Sequence, residues 1–363
     1  MSERQIDRSK PVLVTGATGY VAGWVVKRLL EEGLTVHGTV RNADQTERFQ
    51  YLHNLAEGTE GSLKLFSANL TEAGSFAQAM AGCGTVLHVA SPFQLGVEDP
   101  QRDLIEPAVE GTRNVLEEVN RTPSVHRVVL TSSCAAIYGD NIDLESTPDG
   151  AFTEEVWNTS SSLTHQPYSY SKTLAEKKAW EIHDAQDRWQ LVVMNPPAIF
   201  GPGVRMHEGA ESFNIMTQVG DGTVAMGAPR AGLGIVDVRD VAEAHLKGAF
   251  LPDAEGRHVI SGHDSDLLEM GQIIAKKYPD YPLPKRAIPK FMIWLLAPFI
   301  DKAYTRKMVS RNVNLPWRGD NTKSREKLGM TYRPLETTLH DHFQQLIDEG
   351  VIGAKSDYGK PVQ

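Results

Sequence analysis

The junction at residues 12–32 constrains this chain more than any other stretch. Val12-Leu13-Val14 is an apolar strand between Pro11 and Gly16, and Trp24 to Glu32 follows with Val25, Val26, Leu29 and Leu30 at helical spacing. Gly33 stands where a helix commonly ends on a glycine. Between strand and helix lies Thr15-Gly16-Ala17-Thr18-Gly19-Tyr20-Val21-Ala22-Gly23. Glycines at 16 and 19 permit a tight turn and let backbone N–H groups approach a pyrophosphate at the helix N-terminus. Ala22, at the third small position, lets that helix pack close to the strand. The spacing is G-x-x-G-x-x-A rather than the commoner G-x-G-x-x-G. Glycines alone say little, since any tight β–α turn uses them. Behind a first strand and ahead of a helix, they point to a dinucleotide.

The same alternation continues. Thr35 to Val40 reads as a second strand and Leu63 to Phe66 as a third. Thr85 to Ala90, Arg127 to Thr131 and Leu191 to Met194 read as a fourth, fifth and sixth. Helical stretches, such as Asp103 to Val119 and Ser171 to Ala185, lie between most of them. Strands and helices in alternation specify an α/β fold, a Rossmann-type doubly wound parallel sheet with right-handed crossovers. After Asn195 the texture changes: Asn195 to Gly203 is dense in turn formers, and the pattern beyond it is less regular. This predicts a dinucleotide-binding domain over 1–200 and a smaller, mostly helical substrate region over 201–363. Residues 234–250 are expected to rejoin the first domain. There Asp240 is expected to cap a helix, with Glu243 completing a capping box.

Composition sets limits. Hydrophobic residues make up 40% and charged residues 23%, enough to bury a core. The net charge of −9, with no Lys/Arg cluster long enough to suggest a basic face for nucleic acid, argues against nucleic acid as partner. Cys83 and Cys134 offer neither a disulfide framework nor metal-ligand spacing, and each reads as a small buried hydrophobe. No metal is expected. The polar start, Met1 to Lys10, lacks a secretory pattern, so the cytoplasm is the expected location. The longest apolar run, Phe291 to Ile300, is too short to span a bilayer and contains Pro298. A buried helix or the wall of an apolar substrate pocket is expected there, with peripheral contact with a membrane as the alternative.

The end of the second strand chooses the cofactor. An NAD site usually places Asp or Glu about 20 residues past the glycines, on the ribose 2′-hydroxyl. Here Arg41 stands there, and Asp44 comes only after the strand ends. A guanidinium grips a 2′-phosphate bidentately, with Arg48 as a second charge. NADP(H) is therefore the expected cofactor. Two further segments carry chemistry. Thr131-Ser132-Ser133 ends the fifth strand, where an open α/β sheet places its ligands. Tyr168 and Lys172, four apart at a helix start, share one helical face. A phenol, with a reference pKa of about 10, is a poor acid–base group alone, but a neighbouring ammonium favours its anion. Such a phenol protonates an oxygen as hydride reaches its carbon, while a serine hydroxyl holds the same oxygen.

The chain resembles the extended short-chain dehydrogenases/reductases, in the branch of the dihydroflavonol, cinnamoyl-CoA and yeast aldehyde/ketone reductases. The likeness rests on Thr15 to Ala22, Val40-Arg41, Ala68-Asn69-Leu70, Leu87 to Phe93, Leu130 to Ser133, Tyr168 to Lys177 and Ile235 to Asp240. It implies a catalytic triad of Ser133, Tyr168 and Lys172, with Ser133 favoured over Ser132 and Lys172 also bonding the nicotinamide ribose. It implies cofactor contacts from Gly16, Thr18, Gly19, Tyr20, Val21, Ala22, Arg41, Arg48, Asn69, Leu70, Val89, Ala90, Ser91 and Thr131, with Pro196 and Ile199 behind the nicotinamide. The family usually has Asp where this chain has Asn69, whose carbonyl then serves the adenine amino group. Phe93, Tyr138 and His165 fall where related reductases line the substrate pocket. His88 reads as a core histidine.

Together these readings predict an NADPH-dependent reductase of an aldehyde or ketone, reversible to alcohol oxidation, acting as monomer or homodimer. Met206, Phe213, Met216, Met226 and the 291–300 run favour an apolar or aromatic small molecule. The alternatives are a sterol or nucleotide-sugar dehydrogenase/epimerase, and a non-catalytic NADPH sensor. A sensor often loses the Tyr or Lys, and both are present here.

Overall fold

A computed structural model describes residues 6–91, 97–207, 209–300 and 305–353, without the side chains of Pro298 and Ile300. The strands are β1 (Val12–Val14), β2 (Thr35–Val40), β3 (Ser62–Ser67), β4 (Thr85–His88), β5 (Arg127–Thr131), β6 (Gln190–Asn195), β7 (Ala198–Phe200), β8 (Leu233–Asp237), β9 (Gly256–Val259) and β10 (His263–Ser265). The helices are α1 (Tyr20–Glu31), α2 (Gln50–Asn54), α3 (Ala77–Met80), α4 (Glu106–Arg121), α5 (Pro167–Asp184), α6 (Glu211–Gly220), α7 (Val238–Phe250), α8 (Leu267–Lys277), α9 (Lys290–Ile300), α10 (Arg306–Asn312), α11 (Thr322–Lys327) and α12 (Leu335–Asp348).

Seven strands form one parallel sheet in the order β3-β2-β1-β4-β5-β6-β9. Its central strands are continuous apolar runs, because both faces are covered. One face packs Val14, Leu87, Val129 and Val192 against Val25 and Leu29 of α1 and Val241 and Ala244 of α7. The other packs Leu13, Val86, Val128 and Val193 against Val115 and Val119 of α4 and Ala179 of α5. Strand order reverses between β1 and β4, so a crevice opens at their carboxyl ends, where open sheets of this kind bind ligands.

Helix α1 begins at Tyr20, four residues ahead of the apolar stretch that signals it, because Gly19 is its N-cap. Gly33 takes the left-handed conformation just past the helix (φ 75°), as its C-terminal position requires. Helix α7 is capped by Asp237, not Asp240. Strand β8 runs directly into it, and the Asp237 carboxylate accepts from the Arg239 N–H at 2.8 Å. Asp240 lies inside the first turn, its carboxylate bound by the backbone and guanidinium of Arg333.

Beyond β6 the chain divides its contributions. Strands β7, β8 and β10 make a small separate sheet, while β9 joins the large one beside β6. Phe213 and Met216 are not pocket walls. They are buried with Phe200, Met270 and Phe343, in the core that binds the small sheet to α6, α8 and α12. Met226 is exposed. Helix α9 also departs from expectation. Among its described side chains it buries only Ile293 and Ala297, against Val309 of α10 and Val313, and it leaves most of the described apolar ones in solvent. Among the described residues no helix is long and apolar enough to cross a membrane. Cys83 and Cys134 are both free and buried.

Candidate dinucleotide and catalytic site

The turn after β1 is built to leave room. Gly16 is in the left-handed region (φ 65°), and a Cβ there would stand 2.9 Å from the Cβ of Ala90. The Gly16 N–H donates to Thr39 Oγ1 at 3.0 Å, and Gly19 N–H returns to Gly16 O at 2.9 Å. Gly19 caps α1 with no side chain, so the first N–H groups of the helix have no side-chain acceptor. Thr15 fixes the facing loop. Its hydroxyl accepts the N–H groups of Val89 (3.1 Å) and Ala90 (2.9 Å) and lies 3.0 Å from His88 Nδ1. With both acceptances made, its own proton goes to Nδ1, so His88 is neutral and protonated at Nε2. Burial, and then the Lys172 ammonium, hold the His88 imidazole at about 3. The sequence reading left Thr15 out of the site, although its position at the carboxyl end of β1 was a signal.

Around this turn, Val21, Val89 and Ile199 pack against the core beneath it, and Ala22 is fully buried. Thr18 is half-buried and Gly19 is exposed. Tyr20 turns away: its hydroxyl donates to Gly201 O at 2.6 Å and its ring stands edge-on to Phe213. Arg41 is exposed at the end of β2 and makes no ion pair among the described residues. Arg48 is exposed and holds Gln45 Oε1 at 3.3 Å. Asn69 Oδ1 accepts from both Thr71 N (3.2 Å) and Thr71 Oγ1 (3.1 Å), so its lone pairs are engaged locally. Leu70 O accepts from Asn114 Nδ2 at 2.8 Å. These residues fit a dinucleotide bearing a 2′-phosphate: bare helix N–H groups, a glycine cradle that a Cβ would close, and an unpaired guanidinium where a carboxylate would repel it.

At the carboxyl end of β5 three consecutive hydroxyls go three ways. Thr131 donates to His245 Nε2 at 2.6 Å, since His245 Nδ1 donates to Val241 O. Ser132 is buried and donates to Glu176, which also accepts from Asn195 Nδ2 (2.8 Å) and Arg257 Nε (2.6 Å). Ser133 keeps its hydroxyl near solvent. It accepts the Ala135 N–H at 3.1 Å and touches Pro196 O only at 3.5 Å. The turn after it, Cys134–Ala136, packs against α5.

Helix α5 starts at Pro167, which suits a first helical position, behind Gln166 in the left-handed region (φ 53°). Tyr168 is exposed, and the Lys172 ammonium lies 5.8 Å from its ring centroid and 2.9 Å from Ser91 Oγ. Lys172, Ser91, His88 and Ser132 line one small cavity. Glu176, one helical turn on, continues the Tyr168–Lys172 stripe into the core. That i, i+4, i+8 spacing was the signal for it, unread in the sequence.

Phe93 lies outside the described residues. Tyr138 is half-buried, stacked on Phe152 (4.5 Å between centroids) and near Trp317 (6.0 Å). His165 is buried with Nε2 2.7 Å from Asp140 Oδ2. Burial pushes the Asp140 carboxyl up, but bonds from His165, Arg311 and Asn312 outweigh it and hold it below the usual carboxylate range.

The profile of the NAD dependent epimerase/dehydratase family matches residues 12–260, from β1 through β9. The chain belongs to this family. Its relatives include cinnamoyl-CoA reductase CAD2 of Medicago truncatula, 34% identical over 338 residues, 92% of this chain and 95% of that one. A putative anthocyanidin reductase of Ginkgo biloba is 35% identical over 298 residues, 78% of this chain and 86% of that one. Among solved structures, Gre2 of Candida albicans in complex with NADPH superposes with a TM-score of 0.73 at 29% identity, covering 93% and 98% of the two chains. Within the epimerase/dehydratase family the chain thus sits with the extended short-chain dehydrogenases/reductases, and it is an oxidoreductase of that class.

Proposed function

We propose that this protein is an NADPH-dependent reductase of an aldehyde or ketone on a small organic molecule. The observation that carries this reading is the Lys172 ammonium, set between the Tyr168 ring and Ser91 at the crevice where the strand order reverses. NADPH, when bound, supplies a hydride to the carbonyl carbon. The bare N–H groups of α1 and the Gly16 turn hold the pyrophosphate, and Arg41 with Arg48 holds the 2′-phosphate. Lys172 exchanges its Ser91 contact for the nicotinamide ribose. Ser133 donates to the substrate oxygen, and Tyr168 delivers the proton that makes it a hydroxyl.

Pro196 and Ile199 close the pocket behind the nicotinamide. Tyr138 is the aromatic side chain assigned to the substrate. His165, bonded to Asp140, holds the loop that delivers Tyr168. Long reductase relatives favour carbonyl reduction over epimerisation. The experiment is NADPH oxidation followed at its absorbance band across aromatic and aliphatic aldehydes and ketones, with NADH in parallel and Tyr168→Phe as control. The variant is expected to bind NADPH normally and to lose at least a hundredfold in kcat. Near-normal turnover by that variant would sink the assigned proton donor.

A further inference from the structure

Helix α9 presents an apolar surface to solvent: Phe291 is 70% exposed, Met292 42%, Trp294 40%, Leu295 55%, Leu296 48% and Phe299 84%. Met226, 76% exposed, lies beside the segment leading into α9, where Arg286 Nε donates to the Met226 carbonyl at 3.0 Å. Scattered apolar side chains on a surface mean nothing, but six on one eleven-residue helix form a patch. The helix is also fastened beneath. Ile293 and Ala297 pack on Val309 and Val313, and Lys290 Nζ donates to Ser310 O at 2.9 Å.

The patch is rimmed by positive charge in an acidic protein. Residues 285–307 carry six Lys/Arg against one Asp, a net +5 in a chain of net −9. Lys285, Arg286, Arg306 and Lys307 are all exposed, and the Arg306 guanidinium lies 4.4 Å from the Trp294 ring centroid. An apolar helical face with a tryptophan, flanked by Lys and Arg, is the composition of a helix that lies in a membrane interface. Eleven residues span about 16 Å, roughly half a hydrocarbon core, so such a helix lies along a bilayer rather than across it.

We infer that α9 docks this protein on an anionic lipid bilayer. Phe291, Leu295 and Phe299 enter the acyl boundary, and Lys285, Arg286, Arg306 and Lys307 meet phospholipid headgroups. A second copy of the chain is the poorer occupant, because a two-fold contact would set one basic rim against the other. The inference is independent of the reductase reading.

The test is co-sedimentation of the full chain with phosphatidylcholine vesicles, with and without phosphatidylserine. Binding is expected to phosphatidylserine vesicles, to weaken with salt, and to be nearly absent on phosphatidylcholine alone. Phe291→Ser/Leu295→Ser/Phe299→Ser is expected to lose roughly a hundredfold or more in partitioning. Should that variant misfold, Lys285→Glu and Lys307→Glu leave the apolar face intact and are expected to cost at least about fivefold each. Light scattering without lipid is expected to give the same mass for wild type and the serine variant. No vesicle binding, equal binding to neutral vesicles, or self-association abolished by the serine variant would each overturn the inference.

Discussion

Ser132 and Ser133 stand side by side at the end of β5, and the structure gives them different work, so alanine at each position separates the two. Ser132→Ala removes one hydrogen bond to a buried carboxylate that keeps Asn195 Nδ2 at 2.8 Å and Arg257 Nε at 2.6 Å. A hydrogen bond to a charged group is worth about 1.5–3 kcal/mol. At about 2.1 cal/mol/K per residue, unfolding 363 residues carries an entropy of about 0.8 kcal/mol/K, so Tm falls by about 2–4 °C. Turnover by the folded enzyme stays within about twofold, because the lost bond points into the core. Ser133→Ala behaves in the opposite sense. It loses the cap on Ala135 N–H (3.1 Å), worth about 1 kcal/mol and about 1 °C. If its hydroxyl holds the reacting oxygen, kcat falls by about 10²–10³. The assays are thermal melts and NADPH-coupled kinetics at saturating cofactor on the two variants side by side. A Ser132→Ala enzyme that melts normally but loses kcat, beside an active Ser133→Ala enzyme, would refute the assignment.

Three other outcomes follow from the same geometry. Arg41→Glu is expected to lower the NADPH-to-NADH preference by at least tenfold, through repulsion of the 2′-phosphate. An unchanged ratio in competitive binding would assign that phosphate to another group. Gly16→Ala is expected to weaken NADPH at least tenfold, because it strains a left-handed residue and sets a methyl 2.9 Å from Ala90 Cβ; titration calorimetry giving wild-type affinity would contradict it. Burial holds His88, His258 and His342 at about 3, and His207 and His245 at about 4. These folded-state values lie below the unfolded value of about 6.5, so the unfolded chain takes up protons first as pH falls. Their stability is complete above about pH 6.5 and is lost below it, at about 1.4 kcal/mol per histidine per pH unit. Tm measured from pH 7 to 5 is expected to drop steeply, and a flat profile would contradict the neutral burial of these rings.

The large sheet was legible because the buried parallel strands β1, β4, β5 and β6 are continuous apolar runs, while β2 and β3 show as short stretches of β-branched, leucine and phenylalanine residues. β9 was not. Gly256-Arg257-His258-Val259 carries a charged residue and a histidine where the other buried strands are apolar, yet Arg257 is buried because Glu176 and the carbonyls of Glu154 and Val156 satisfy its guanidinium. A polar side chain paired across more than eighty residues leaves no local pattern. The glycine turn and the Tyr168–Lys172 pair were legible for the reverse reason, since each is set by short-range spacing. Helix α9 misled because an apolar run states how greasy a segment is and not what covers it. Asp237 was missed as a cap because the apolar run of β8 continues through Val236 to the cap itself.

Glu176 joins these two kinds of information. It lies eight residues beyond Tyr168 on one helix face, and its carboxylate receives Ser132 from β5, Asn195 from β6 and Arg257 from β9. Asn195 Nδ2 also reaches the Ser133 carbonyl at 3.1 Å. One buried carboxylate therefore ties the helix that carries Tyr168 and Lys172 to the strand end that carries Ser133. A buried ion pair is seldom more stabilising than well-packed apolar residues of similar volume. What Glu176 and Arg257 supply that an apolar pair would not is direction, because hydrogen bonds fix a strand end against a helix more narrowly than packing does. On this reading Glu176 is a positioning residue: the sheet acquires its last strand and the site acquires its alignment through the same few contacts.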